Sequence, residues 1–116
     1  MKMMKDGITY NQRDIILIPF PYSDLTGSKH RPALIVSNEK LNKTEDRICC
    51  LISSHIHKDD LILSNNHFHK GNLPFRSAVR PHRIFTIHEK VIKKRLCSIT
   101  KEFHELILKK FNEYLE

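Results

Sequence analysis

Two pairs of histidines stand at spacings that suit metal ligands. One residue separates His55 from His57 and His67 from His69, so an extended backbone places both imidazoles of a pair on one face. A metal site needs a third and a fourth ligand, and the sequence places none beside either pair. Surface histidines are the favoured interpretation, and a metal-dependent hydrolase is the alternative.

A hydroxyl and an imidazole share one face of an apolar segment, residues 47–57. Ser53 and His55 alternate along it, whereas the side chain of Ser54 points to the opposite face. The chain contains no GxSxG turn, so a strained hydrolase nucleophile is not indicated. Taken alone, the segment favours a serine that completes a strand edge over a catalytic triad.

Arg31 is the side chain best suited to hold a phosphate group. It precedes Pro32, and the residue before a proline is biased towards extended backbone. It also follows the polar, basic residues 27–30 (GSKH). A guanidinium held at a strand entry offers paired donors that match a phosphate. A surface arginine lying over the sheet is the alternative.

Short strands must position these residues. Apolar, β-branched segments predict strands at residues 14–18, 32–37, 47–57, 61–63, 77–80 and 83–87. Turn-forming or polar residues predict loops at 20–30, 38–46 and 65–76. Residues 1–12 are polar and are expected to be loosely ordered, and residues 88–94 fit a short helix.

The C-terminal segment changes to a helical period. Thr100 is a suitable N-cap, and Glu102 lies in the first turn, where the helix dipole favours an acidic side chain. The apolar residues that follow are Phe103, Leu106, Ile107, Phe111, Tyr114 and Leu115. The whole pattern predicts one domain over residues 1–116 that is mainly β, a small barrel closed by a C-terminal helix.

Positive charge is concentrated in the second half of the chain. The 116 residues include 20 Lys and Arg against 13 Asp and Glu. Residues 61–101 contain nine of the basic residues and one acidic residue, Glu89. A basic block of this kind favours a polyanionic partner, most often nucleic acid. A solvated surface is the alternative.

Composition and hydropathy indicate a cytoplasmic protein with no membrane association. No apolar run approaches the roughly 20 residues of a membrane span, and the charged start lacks the apolar core of a secretory signal. The three cysteines show no CxxC spacing, which argues against a disulfide framework or a zinc ribbon.

Residues 14–37 (DIILIPFPYSDLTGSKHRPALIVS) resemble the opening of the PemK/MazF family, the toxins of type II toxin–antitoxin systems. The shared pattern is an apolar strand ending in PFP, a polar loop, a basic residue, Arg-Pro and a second apolar strand. Residues 51–56 (LISSHI) are similar to the family's third strand, and residues 77–86 (SAVRPHRIFT) to its SxVRxxxIxT segment. The resemblance covers residues 13–116.

The resemblance implies an SH3-like barrel of the MazF/CcdB type that forms a homodimer. It also implies an endoribonuclease that needs no metal or cofactor and cuts single-stranded RNA, including mRNA, at short sequences. In that reaction the ribose 2′-OH attacks the adjacent phosphate and leaves 2′,3′-cyclic phosphate and 5′-OH ends. A cognate antitoxin would block the RNA groove, and operator DNA would be bound only through the antitoxin complex.

By the same resemblance, the family's catalytic arginine corresponds to Arg31 and its hydroxyl residue, usually threonine, to Ser53. Arg31 is expected to stabilise charge developing on the scissile phosphate. Ser53 is expected to hydrogen-bond the 2′-OH or the phosphate. The candidates for RNA contacts are Phe20, Ser23, Lys29, His30, His55, Arg80, His82 and Arg83.

Two positions depart from the family pattern. Arg13 stands where a glycine commonly precedes the aspartate of the first strand, and Ser53 lacks the γ-methyl that restrains χ1 in threonine. His55 is a candidate general acid or base, because imidazole titrates near neutral pH. A non-catalytic barrel that binds nucleic acid or a gyrase-like protein is the alternative to a nuclease.

Overall fold

The computed structural model describes residues 9–20 and 29–116. In this part of the chain the strands are β1 (Asp14–Phe20), β2 (Lys29–Ile35), β3 (Asp46–Ser53), β4 (Leu61–Ile62), β5 (Phe68–Lys70), β6 (Ala78–His88) and β7 (Lys94–Ile99). The α-helices are α1 (Glu39–Asn42) and α2 (Lys101–Glu113), and short 3₁₀ helices cover Asn65–His67 and Glu89–Val91.

The strands form one antiparallel sheet in the order β4-β6-β3-β2-β1-β7-β5. The sheet curls into a half-barrel, and α2 follows at the C-terminus. The Thr100 hydroxyl caps α2 by accepting a hydrogen bond from the Phe103 N–H at 3.1 Å. The predicted mainly β barrel with a C-terminal helix is therefore confirmed.

Both faces of the central strands are buried, which explains their nearly continuous apolar sequences. Ile15, Leu34 and Cys50 belong to a core that includes Phe103 and Ile107 of α2. The opposite face, called here the second face, carries a second set of buried apolar side chains from these strands: Ile16, Ile18, Phe20, Ala33, Ile35, Cys49 and Leu51. Burying each large aliphatic side chain contributes roughly 1.5–3 kcal/mol.

β6 is one strand where the sequence predicts two short ones. Its register with β3 shifts, because Leu51 pairs with Arg80 whereas Cys50 pairs with Ile84. Residues 81–83 therefore form a bulge, which accommodates a proline within a paired strand. The separate strands predicted at 77–80 and 83–87 are joined through this bulge.

Other element boundaries also differ from the prediction. Residues 88–94, expected to form a short helix, instead hold the end of β6, one 3₁₀ turn at Glu89–Val91 and the start of β7, which pairs with β1. Phe20 and Lys29, expected in a loop, pair with each other. Tyr10 lies in the segment expected to be loosely ordered but is only 3% exposed. No helix in the described ranges is long and apolar enough to cross a membrane.

Candidate functional site

Arg31 and Ser53 line one cleft on the second face of the sheet. Ala33 of β2 pairs with Leu51 of β3, and extending this register by two residues on each strand places Arg31 opposite Ser53. Side chains alternate along a strand, so both residues share the face of Ala33 and Leu51. The cleft has a volume of about 350 Å³ and is lined by Phe20, Arg31, Leu51, Ile52, Ser53, Arg80 and Arg83.

Arg31 brings a half-buried cation into this cleft. Its backbone is fixed by pairing with Ile18 of β1. Its Nε atom is buried and has no hydrogen-bond partner within the described residues. A buried donor without a partner costs roughly 1–3 kcal/mol. The cleft is therefore suited to a ligand that accepts hydrogen bonds, and an anion would also match the guanidinium charge.

The Ser53 hydroxyl is held by the main chain of the following turn. Its Oγ accepts a hydrogen bond from the His55 N–H at 3.0 Å and donates to the His55 carbonyl at 3.3 Å. These bonds restrain the side chain in the absence of the threonine γ-methyl. β3 ends here, so the expected extension of this strand to His57 is wrong.

Arg80 lines the cleft, but protein groups engage its guanidinium. Its Nε lies 3.2 Å from Asp60 Oδ1, and its Nη2 donates to Asp60 Oδ2 at 3.2 Å. Nη2 also donates to the His55 carbonyl at 2.8 Å. Burial favours the neutral form of Asp60, but the hydrogen bonds from Arg80 and from the His57 N–H, with the charge of Arg80, outweigh burial and lower the pKa of this carboxyl.

Arg83 stands between this cleft and an apolar one beside it. It lies in the β6 bulge and is exposed. The second cleft, of about 310 Å³, is lined by Ile18, Pro19, Phe20, Leu51, Arg83, Ile84, Phe85 and Ile87. The Phe20 and Phe85 rings meet edge to face with centroids 5.7 Å apart. A polar cleft thus adjoins an apolar cleft with aromatic walls, and the two share Phe20, Leu51 and Arg83.

Four other predicted contacts, all within the described residues, lie outside the lining of both clefts. Lys29 and His30 are exposed at the start of β2. His55 is exposed, and its ring packs against that of His57 at 5.5 Å. The His82 ring packs against Tyr114, just beyond α2, at 5.7 Å. Ser23 lies outside the described residues.

Asp60, the partner of Arg80, is a residue beside the cleft that sequence pattern does not reveal. It stands beside Asp59 in the chain, and nothing in the sequence distinguishes the two. The pairing of β4 with β6, through Leu61 and Val79, brings the preceding Asp60 close to Arg80. This contact depends on strand pairing over long range, which local pattern does not reveal.

Among the described residues, the histidines and cysteines form no group suited to a metal ion. Within the described ranges, no three His, Cys, Asp or Glu side chains are grouped so that they could hold an ion. The His67 ring stacks on Phe103 at 3.8 Å. Burial raises the pKa of Cys49 and Cys50 to about 12 and that of Cys97 to about 11, so these free thiols stay protonated near neutral pH.

Solved structures of similar fold include toxins and their complexes. A MazE–MazF complex from Deinococcus radiodurans matches with a TM-score of 0.75 and 15% identity, over 93% of this chain and 97% of that one. An endoribonuclease from a mycobacterial species matches with a TM-score of 0.72 and 17% identity, over 93% and 92% of the two chains. A mycobacterial endoribonuclease in complex with its cognate antitoxin gives a TM-score of 0.66 at 18% identity, over 92% and 95%.

Sequence comparison assigns the family. No curated protein matches the chain by sequence. A family model described as the PemK-like, MazF-like toxin of type II toxin–antitoxin systems matches residues 11–115, which include β1 to β7 and the whole of α2. The chain therefore belongs to the PemK-like, MazF-like toxins of type II toxin–antitoxin systems.

Proposed function

We propose that this toxin is a metal-independent, sequence-specific endoribonuclease that cleaves single-stranded RNA to 2′,3′-cyclic phosphate and 5′-OH ends. Cleavage of mRNA would inhibit translation and growth. The observation that carries the proposal is the shared cleft of Arg31 and Ser53, in which the Arg31 Nε has no partner among the described residues. The endoribonucleases among the solved structures of the same fold support it.

Arg31 stabilises the charge that develops on the scissile phosphate. The nucleophile is the 2′-OH of the RNA itself, so the protein must bind, orient and stabilise. One such preorganised donor typically contributes about 2.7–4 kcal/mol to the transition state. Proton donation by Arg31 to the leaving 5′-oxygen is the weaker alternative, because the pKa of a guanidinium lies above ~12.

Ser53 and the neighbouring apolar cleft position the substrate. The Ser53 hydroxyl lies at the edge of the polar cleft and accepts a hydrogen bond from the 2′-OH, or donates to the phosphate in place of the His55 carbonyl. A base next to the scissile phosphate packs in the apolar cleft beside Phe20 and Phe85, since unstacked RNA bases bind aromatic side chains. Arg83, shared by both clefts, contacts the phosphate or the base edge.

The exposed basic side chains extend the RNA surface. Lys29, His30, His55 and His82 are exposed and contact phosphates or bases further along the strand, together with Ser23. Arg80 also borders the RNA site, although its guanidinium is paired with Asp60. Phosphate contacts of this type make binding weaker as salt rises.

A cognate antitoxin and a second copy of the chain complete the proposed assembly. A mycobacterial endoribonuclease of the same fold has been solved with its cognate antitoxin. The antitoxin would cover the RNA cleft, and operator DNA would be contacted only through that complex. We infer a cytoplasmic homodimer, and size-exclusion chromatography should give about twice the 13.7 kDa chain mass.

Growth inhibition after induction tests the assignment of Arg31. Arg31→Ala should abolish toxicity while the protein remains folded. Arg76→Ala is the matched control, because Arg76 is an exposed arginine that lines neither cleft. A fully toxic Arg31→Ala protein would show that the assignment is wrong. Folded wild type that arrests growth without cutting RNA would favour the non-catalytic binding module.

A further inference from the structure

We propose that Asp60 is a positioning residue for RNA cleavage. It orients Arg80 and thereby holds the turn that carries the Ser53 hydroxyl. The inference rests on the proposed ribonuclease function, because it concerns the geometry of that same cleft. It adds a residue that does not itself line the cleft in the described part of the chain.

A continuous set of hydrogen bonds joins Asp60 to Ser53. The Asp60 carboxylate binds the Arg80 guanidinium through Nε and Nη2, each at 3.2 Å. The same Nη2 donates to the His55 carbonyl at 2.8 Å. That carbonyl also accepts a hydrogen bond from the Ser53 hydroxyl at 3.3 Å. Moving the carboxylate therefore displaces the atoms that hold Ser53.

Asp60 also holds the far end of the turn directly. Its Oδ2 accepts a hydrogen bond from the His57 N–H at 2.8 Å. The carboxylate thus fixes the turn at two main-chain points, the His57 amide and, through Arg80, the His55 carbonyl. Bidentate arginine–carboxylate pairing adds directional constraint that a point charge lacks.

The sheet anchors the other side of this network. Arg80 lies opposite Leu51 of β3, next to the register shift in β6. The Cys50 thiol donates to the Arg80 carbonyl at 3.0 Å. The side chains of Asp60 and Arg80 are only 3% and 10% exposed, so little water is present to screen or replace their contact. The turn after β3 is therefore connected through Arg80 to the paired strands β3 and β6.

Steady-state cleavage of an RNA fragment spanning one mapped cut site, in EDTA, tests the role of Asp60. Asp60→Asn should lower kcat by roughly tenfold to a hundredfold while KM stays near the wild-type value, because misplaced groups act on the chemical step. Asp59→Asn is the matched control, since Asp59 is exposed, and it should keep both constants. A folded Asp60→Asn protein with wild-type kcat would overturn the proposal.

Asp60→Asn leaves the buried charge of Arg80 without its partner, which could prevent folding. A second variant keeps the test decisive in that case. Arg80→Lys keeps the cation for Asp60 but lacks the planar fork that also reaches His55. It should fold and still lose kcat, and wild-type kcat would overturn the proposal. In the double variant the losses should not multiply, because both residues act through one contact.

Hydrogen exchange of the His55 amide separates this inference from the proposed function. That amide donates to the Ser53 Oγ, so it should exchange faster in Asp60→Asn, or in Arg80→Lys, than in Asp59→Asn. Equal exchange rates would overturn the positioning role even in an active enzyme. Faster exchange in Asp60→Asn, together with a folded wild type that cuts no RNA, would support the bracing of the turn and reject the ribonuclease function.

Discussion

Arg31 and Ser53, far apart in the chain, line the same cleft from neighbouring strands. Their side chains share a face because the β2–β3 register, extended from Ala33 and Leu51, places them opposite each other. The cation is half-buried, and the hydroxyl is fixed by the turn that follows β3.

Removing the Ser53 hydroxyl should lower cleavage and loosen the turn. Ser53→Ala deletes two hydrogen bonds to the His55 main chain, and the free energy of unfolding should fall by about 1 kcal/mol. Ser53→Thr keeps the hydroxyl and restrains χ1, so it should cut RNA at least as fast as wild type. Ser54→Ala, an exposed neighbour, is the control. Wild-type cleavage by Ser53→Ala would exclude the hydroxyl from the reaction.

The His55 ring should be dispensable for the chemical step. The main chain of His55 hydrogen-bonds the side chains of Ser53 and Arg80. Its ring is exposed to solvent, packs against the His57 ring and is not among the residues that line the cleft. His55→Ala should therefore keep kcat and the pH profile of cleavage, and its loss of an RNA contact should raise KM. A pH profile that loses a limb near neutral pH would instead establish His55 as a general acid or base.

Arg13→Gly should stabilise the protein. Arg13 has φ = 79°, and left-handed backbone costs a non-glycine residue roughly 1–2 kcal/mol. Its N–H donates to the Ile35 carbonyl at 2.8 Å and its carbonyl accepts from the Ile99 N–H at 2.9 Å, so the conformation is fixed. The greater freedom of glycine in the unfolded chain offsets part of this relief. Urea unfolding should therefore show a net increase of about 1 kcal/mol in the free energy of unfolding. Arg13→Ala, which keeps Cβ, should show no such gain; an equal gain would assign the effect to the side chain.

Stability should decrease in mild acid because of His104. Burial, the largest effect, lowers the pKa of His104, against a backbone hydrogen bond with Val36. The unfolded chain then binds a proton more readily, so stability is lost as pH falls from about 6.5 towards the lower folded pKa. His104→Gln should flatten the dependence of unfolding free energy on pH in this window. His69→Gln, at an exposed position, should keep the wild-type slope, and an unchanged slope in His104→Gln would contradict this origin.

Local sequence pattern revealed α2 but only part of the sheet. Thr100 and the helical spacing after it mark α2 directly, because capping and amphipathicity are local properties. Local pattern divides β6 because Pro81 signals a break, whereas in the sheet a bulge accommodates this proline. Local pattern does not reveal β7. Its first residues, Lys94 and Arg95, are exposed, so only Cys97 and Ile99 show the apolar alternation of a strand.

The candidate site also combines features that a short segment of sequence reveals with contacts that depend on long-range strand pairing. Arg31 before Pro32 is a local feature, and the family resemblance supplied its proposed role together with that of Ser53. The partnership of Asp60 with Arg80 depends on the pairing of β4 with β6, which no short segment encodes.

End-group analysis of RNA fragments is the sharpest test of metal-independent cleavage through Arg31. A long, unstructured RNA is incubated in EDTA with wild type or Arg31→Ala, and with a 2′-O-methyl RNA of the same sequence as a substrate control. Wild type should give discrete fragments with 5′-OH and 2′,3′-cyclic phosphate ends, and on unmodified RNA only. Fragments with 5′-phosphate ends, cleavage of the 2′-O-methyl strand, or no cleavage by folded wild type at any salt concentration would contradict it.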